Sequence, residues 1–261
     1  MEDEKMPITD HLGELRKRIV ISLLAFLTAF IISFSFSEEL FKFIVFPLKH
    51  NLVLSLKNPY LQFLPDDKLE GTKLVFLAPA EALWMSIKIS AVTALIIGLP
   101  IFLHQLWKFI SPGLLEQEKK YFIPFIFSAS ALFLVGAFFC FFIVLPFAIS
   151  FLLTYKVGDI LMPMLSVGMY VDFCLKFILA FGLIFELPIV IIFLTKIGVV
   201  TPQFLAKNRK YAILMSFILA AILTPTPDAF NQILMAFPII ALYEVGIWLS
   251  KLFKRKERTA E

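Results

Sequence analysis

The sequence reads as an all-α integral membrane protein: six transmembrane helices in a curved, concave bundle, with both termini in the cytoplasm. Composition, the spacing of apolar runs and the placement of basic residues each point that way. The chain is 60% hydrophobic, with 31 phenylalanines and only 17% charged residues, and its mean hydropathy is +0.89. Soluble domains sit nearer to about 45–50% apolar. A length of 261 residues leaves room for one membrane domain, 1–261, and none for a separate soluble catalytic unit.

Runs long enough for helices of about 20 residues fall at 19–37, 80–105, 121–146, 171–195, 211–223 and 233–250. The fifth is short: at about 1.5 Å per residue it covers only about 20 Å of a roughly 30 Å hydrocarbon core. Before the first run, eighteen residues mix acids and bases, and no small-x-small cleavage site follows. That pattern predicts a retained signal anchor, not a cleaved leader.

Lys and Arg set the orientation. Sixteen of them lie at the N-terminus, in the loops holding Lys108 and Lys196, and at the C-terminus; six lie on the other side. Lys88 and Lys176 fall inside spans but within snorkelling range of that second face. Both ends are therefore expected in the cytoplasm. The net charge of +4 follows from this bias and calls for no nucleic-acid partner.

The outer connection from Glu38 to Pro79 is the one long loop. Its Asn58-Pro59 and Pro65-Asp66-Asp67 read as turns. The apolar stretches Leu40–Val45 and Leu52–Leu56 read as short interfacial helices. Pro100, Pro124, Pro146, Pro188 and Pro238 lie in or at the ends of spans. Each removes a backbone donor and favours a bend, hence the expected curvature.

Glu186 stands out in the fourth span, because every other side chain from Phe177 to Leu194 is apolar or absent. A carboxylate at that depth costs roughly 2.5–3.5 kcal/mol on insertion scales unless protonated, paired or solvated. Pro188 cannot donate to the carbonyl of Ile184, so a backbone acceptor is freed beside the carboxyl.

Catalytic signatures are lacking. There is no Gly-rich phosphate loop, no His-Glu-x-x-His and no cysteine pair at metal spacing. Cys140 and Cys174 lie in apolar runs and read as packing residues. His11, His50 and His104 are far apart. The expectation is a protein that is not an enzyme, holds no cofactor or metal, and draws its energy from elsewhere.

Carboxylates near the cytoplasmic face are better candidates for binding. Glu14 precedes the first span among Arg16, Lys17 and Arg18, and Glu116 and Glu118 lie in the first cytoplasmic loop. A carboxylate held among bases can accept a guanidinium through both oxygens. Glu116 reads better as a complement to the dipole of the third helix. Phe109 would either cover an apolar ligand stem or anchor the loop in the headgroups, as Trp107 would.

These residues carry a resemblance. The His-Leu-x-Glu-Leu-Arg-x-Arg pattern spans His11 to Arg18, and Gln-x-Trp-x-Phe-x-x-Pro-Gly-Leu spans Gln105 to Leu114. Then come Glu118-Lys119, the run Phe181 to Pro188 around Glu186, and Thr224-Pro225-Thr226-Pro227-Asp228 ahead of Gln232. In this order they resemble the TatC family, the large membrane subunit of the twin-arginine protein translocase. The resemblance implies a glove-like six-helix bundle in the cytoplasmic (inner) membrane that binds signal peptides bearing paired arginines on folded cargo. It implies single-span partners, TatA and TatB, self-association in a multimeric receptor complex, and transport driven by the proton-motive force.

By position, Glu14, Phe109 and Glu118 would form the arginine-recognition site, supported by Arg16 and Arg18. Glu186, Gln232 and a threonine, Thr224 or Thr226, would form a polar intramembrane surface where partner helices dock. Pro47 and Asp228 match structural positions on the outer side. Two features depart from the family pattern: an extra residue in Thr-Pro-Thr-Pro-Asp, and a longer outer loop. The competing class is a proton-coupled secondary transporter using Glu186 as its coupling carboxylate; it would require an internal repeat, which the sequence lacks.

Overall fold

The computed structural model describes residues 8–54, 61–65, 74–110, 122–154, 165–224 and 228–252. Glu116, Glu118, Thr226, Asn58-Pro59 and Asp66-Asp67 lie outside the described residues.

From Ile19 onward helix α1 (Ile8–Ser35) is predominantly apolar, and Ile19, Leu23, Leu24, Leu27 and Ile31 are exposed. An apolar face without a protein partner is what hydrocarbon covers. The helix leans on α4 (Glu81–Ile110). Between them run α2 (Ser37–Ile44), α3 (Phe46–Lys49), and strands β1 (His50–Leu54), β2 (Leu61–Pro65) and β3 (Leu74–Val75). β1 and β2 pair antiparallel, His50 opposite Pro65 and Leu54 opposite Leu61. The Leu40–Val45 stretch is helical as expected, but Leu52–Leu56 is not: its first residues belong to β1. A short apolar run lacks the length to separate helix from strand by periodicity, and cross-strand pairing decides it.

The third span begins as α5 (Phe122–Phe139), widens into a π-helical turn at Cys140–Val144, and continues as α6 (Leu145–Thr154). The amide of Leu145 donates to the carbonyl of Cys140, five residues back. Pro146 explains the wide turn. Its ring would crowd the carbonyl of Phe142 in a regular helix, and widening that turn relieves the clash without ending the helix.

After β4 (Leu165–Ser166), which pairs parallel with β3, the fourth span starts as α7 (Val167–Phe185). It breaks at Glu186 and resumes as α8 (Leu187–Lys196) with Pro188 in its first turn. α7 is the centre of the core: Phe177, Phe181, Val171 and Cys174 are fully buried. Its crossing with α5 is made by reciprocal glycines. A Cβ on Gly136 would come within 2.6 Å of the Phe181 carbonyl, and one on Gly182 within 2.5 Å of the Phe133 ring. Small residues at such points let membrane helices approach closely.

α8 ends at Gly198, φ +79, with Val199 donating to the carbonyl of Leu194 and Gly198 to that of Thr195. Glycine suits that left-handed position. Helix α9 (Pro202–Lys207) is capped by Thr201, whose hydroxyl accepts from the amide of Phe204. Then follow α10 (Arg209–Leu223) and α11 (Ala229–Leu252). Arg209 grips both carboxylate oxygens of Glu244 at 2.6 and 2.8 Å, fastening α10 to α11.

Among the described residues, five helical stretches are long and apolar enough to cross a membrane: Leu12–Ser35, Glu81–Ile110, Ile123–Leu153, Val167–Lys196 and Ala229–Leu252. The chain is thus a multi-pass, predominantly helical membrane protein. The predicted short fifth span corresponds to α10, whose 15 residues rise about 22 Å. Pro100 and Pro238 sit inside continuous helices; among the described spans the fourth breaks at Glu186 and the third widens at Cys140–Val144.

Candidate functional site

At the end of the bundle nearest the N-terminus, α1 and α4 close on one another. Glu14 and Arg18 are one helical turn apart, so they share a face, and Arg18 Nη2 donates to Glu14 Oε1 at 2.8 Å. Arg18 Nη1 reaches across to α4 and donates to Gln105 Oε1 at 3.3 Å. The pair is only one-fifth exposed on each side chain, which limits water competition. Glu14 Oε2 accepts no hydrogen bond among the described residues. Arg16 points to the exposed surface.

Directly beside this pair lies an apolar groove of about 430 Å³, lined by Arg18, Ser22, Phe26, Phe102, Gln105 and Phe109, among others. Of the expected recognition residues, Glu14, Arg18 and Phe109 therefore meet at one corner. Gln105 joins them without having been singled out from the sequence. Its visible signal is its place at the head of the Gln-x-Trp-x-Phe pattern.

Glu186 occupies the break between α7 and α8. Its amide donates to the carbonyl of Leu183 at 3.1 Å and its carbonyl accepts from Val190 at 3.0 Å. Its Oε1 is buried and accepts no hydrogen bond among the described residues. Toward the N-terminal face from that break, a groove of about 410 Å³ is lined by Trp107, Phe125, Pro188, Ile192, Phe193 and Lys196, among others.

The other expected polar groups sit elsewhere. Gln232 Nε2 donates to the carbonyl of Phe217 at 3.1 Å, bridging α11 and α10. The buried Thr224 turns its hydroxyl onto its own helix, donating to the carbonyl of Ala220 at 2.8 Å. Pro188 packs against Gly246 of α11, fourteen positions along that helix from Gln232, about 21 Å of rise. Glu186 and Gln232 thus lie at different depths. Asp228 caps α11: Oδ1 accepts from the Asn231 amide at 2.8 Å and Oδ2 from its side chain at 2.9 Å. Pro47 is fully buried in α3, which packs on α6.

No group of three or more His, Cys, Asp or Glu able to hold a metal occurs among the described residues.

The family model described as "Sec-independent protein translocase protein (TatC)" matches residues 10–238. The chain belongs to the TatC family. The Sec-independent protein translocase protein TatC of Aquifex aeolicus is 43% identical over 254 residues, covering 97% of this chain and 98% of its own length. That of Carboxydothermus hydrogenoformans is 40% identical, covering 100% and 99%. A crystal structure of the twin-arginine translocase receptor TatC superposes with a TM-score of 0.77 at 41% identity, covering 94% of this chain and all of that one. This TatC-family chain is accordingly a protein-translocase component, not an enzyme, and the transporter alternative gains nothing from its relatives.

Proposed function

We propose that this chain is the receptor that reads paired arginines of signal peptides at the α1–α4 corner and forms the core around which folded proteins are exported. The observation that carries the reading is the Glu14–Arg18–Gln105 bridge beside the apolar groove holding Phe109. A carboxylate oriented by an arginine, with one oxygen still open, offers a guanidinium a charge-assisted bond. The adjacent groove offers apolar cover for the residues that follow. Glu118, in the neighbouring loop, supplies the second carboxylate for the second arginine.

In this reading the basic-rich face is cytoplasmic, both termini lie on it, and α10 crosses a locally thinned inner membrane as the sixth span. The whole chain, 1–261, works as one concave membrane domain. Glu186 meets a polar side chain of a TatA- or TatB-type single-span partner, and Gln232 and Thr224 mark a second docking level nearer the outer face. Copies associate into a multimeric receptor, and the proton-motive force drives transport.

The test is equilibrium binding of a paired-arginine peptide and a paired-lysine control to the full chain in detergent. Glu118→Ala and Glu14→Ala should each weaken the arginine peptide and leave the lysine control little changed. Equal arginine-peptide binding by wild type and both variants refutes the site.

A further inference from the structure

A second polar cluster lies at the opposite end of the bundle, where the β1–β2 hairpin sits. Lys88 of α4 donates to both carboxylate oxygens of Asp172 on α7, at 2.7 and 2.9 Å. One turn farther along α7 stands Lys176, exposed. Asp172 has the helical spacing to pair with Lys176, yet both its oxygens are taken by Lys88. Lys176 makes no ion pair or hydrogen bond among the described residues. Lys88 and Asp172 neutralise one another, and Glu81 is held by Ser166 and the Gly168 amide, so Lys176 keeps no counter-ion among the described residues.

Lys176 and Asp172 rim a groove of about 370 Å³ whose other walls are Ile149, Leu152, Met169 and Phe173, among others. Lys176 stands nine residues after the start of the Val167–Lys196 stretch, about 14 Å along it. Centring that stretch on a roughly 30 Å core puts the Lys176 backbone about 6 Å inside the hydrocarbon edge. A helical Cβ leans toward the helix N-terminus, here the hairpin face, so the ammonium snorkels toward the headgroups.

We propose that this groove binds an anionic phospholipid, its phosphate on Lys176 and an acyl chain along the apolar wall. The commitment to a lipid rests on charge and depth together: an unpaired ammonium at headgroup level, continuous with a slot lined by aliphatic and aromatic side chains. The site is separate from the arginine-recognition corner and independent of that reading.

Native mass spectrometry of the full chain in detergent, with palmitoyl-oleoyl phosphatidylglycerol or phosphatidylcholine, tests it. Wild type should retain the first phosphatidylglycerol about fivefold more than phosphatidylcholine, the weight of one lysine at an anionic surface. Lys176→Gln should erase the preference, and Lys176→Arg should keep it. Lys88→Gln should erase it as well, because the released Asp172 then pairs with Lys176. Lys42→Gln, removing an exposed charge on α2 of the same face, should not. Equal retention of the two lipids by wild type, or an undiminished preference in Lys176→Gln, overturns the proposal. Benzoylphenylalanine in place of the exposed groove residue Met169 separates occupants in native membranes. A lipid adduct supports the site; an adduct to a second polypeptide in its stead overturns it.

Discussion

Gly246 of α11 faces Pro188 of α8 so closely that a Cβ on the glycine would stand 3.3 Å from the proline Cα and 2.6 Å from Ile191 Cδ1. The contact supports the helix just after its break, where Pro188 has removed a backbone donor. Ile191 Cδ1 is the end of a flexible side chain and can move, but the Pro188 backbone cannot. Gly246→Ala should therefore be mild, while Gly246→Leu should cost about 1–3 kcal/mol by overpacking. A thermal melt of the two variants in detergent measures the difference, and equal melting temperatures would remove the proposed rigidity of this crossing.

Gln105 acts on Glu14 only through Arg18. Replacing it with leucine keeps the volume of a buried side chain and the Glu14–Arg18 pair, but leaves Arg18 unanchored to α4. One such bond contributes about 1 kcal/mol, so Gln105→Leu should weaken a paired-arginine peptide by roughly fivefold. The paired-lysine control should not move. Should the arginine peptide bind Gln105→Leu as tightly as wild type, Gln105 has no positioning role.

Much of this architecture is legible in the sequence, for a plain reason: in hydrocarbon, span length and polarity are dictated by the solvent. The apolar runs, the break at Glu186–Pro188 and the short α10 all follow from that constraint. The Glu14–Arg18 pair is legible too, because i and i+4 share a helix face whatever packs around them. Gln105 is not, since only the crossing of α1 and α4 brings it within reach. Leu52–Val53 reads as part of a short helix in the sequence, and only its pairing with β2 makes it strand. The separation of Glu186 from Gln232 depends on how α8 slides along α11, which local pattern does not encode. The proposed second carboxylate, Glu118, is read from the Glu118-Lys119 motif.

Asp228 binds Asn231 twice, through the backbone amide and the side chain, and Asn231 is completely buried. Loss of a helix N-cap costs about 1 kcal/mol and up to roughly 2. Asp228→Ala should sit at the upper end, because the buried Asn231 side chain also loses its bond to Oδ2. Asp228→Asn, which still accepts from the Asn231 amide, should recover much of the loss. Melting temperatures of the two variants decide it; indistinguishable values would show that the cap matters little.

If Glu186 docks a partner helix as proposed, it sets stability against that docking. Its buried Oε1 has no hydrogen-bond partner within the described chain, and an unsatisfied buried polar group costs about 1–3 kcal/mol. Glu186→Leu removes that cost and should raise the melting temperature of the isolated chain. The same change deletes the group proposed to meet a docking helix, where an intramembrane hydrogen bond contributes about 0.6–2 kcal/mol. Recovery of single-span partners with the purified variant should fall, along with export of folded cargo. Glu186→Gln, still able to bond across helices, should retain part of both. The two readouts must move in opposite directions. A Glu186→Leu protein that is less stable than wild type would mean the carboxyl serves the chain's own packing, and unchanged partner recovery would mean no helix comes to meet it.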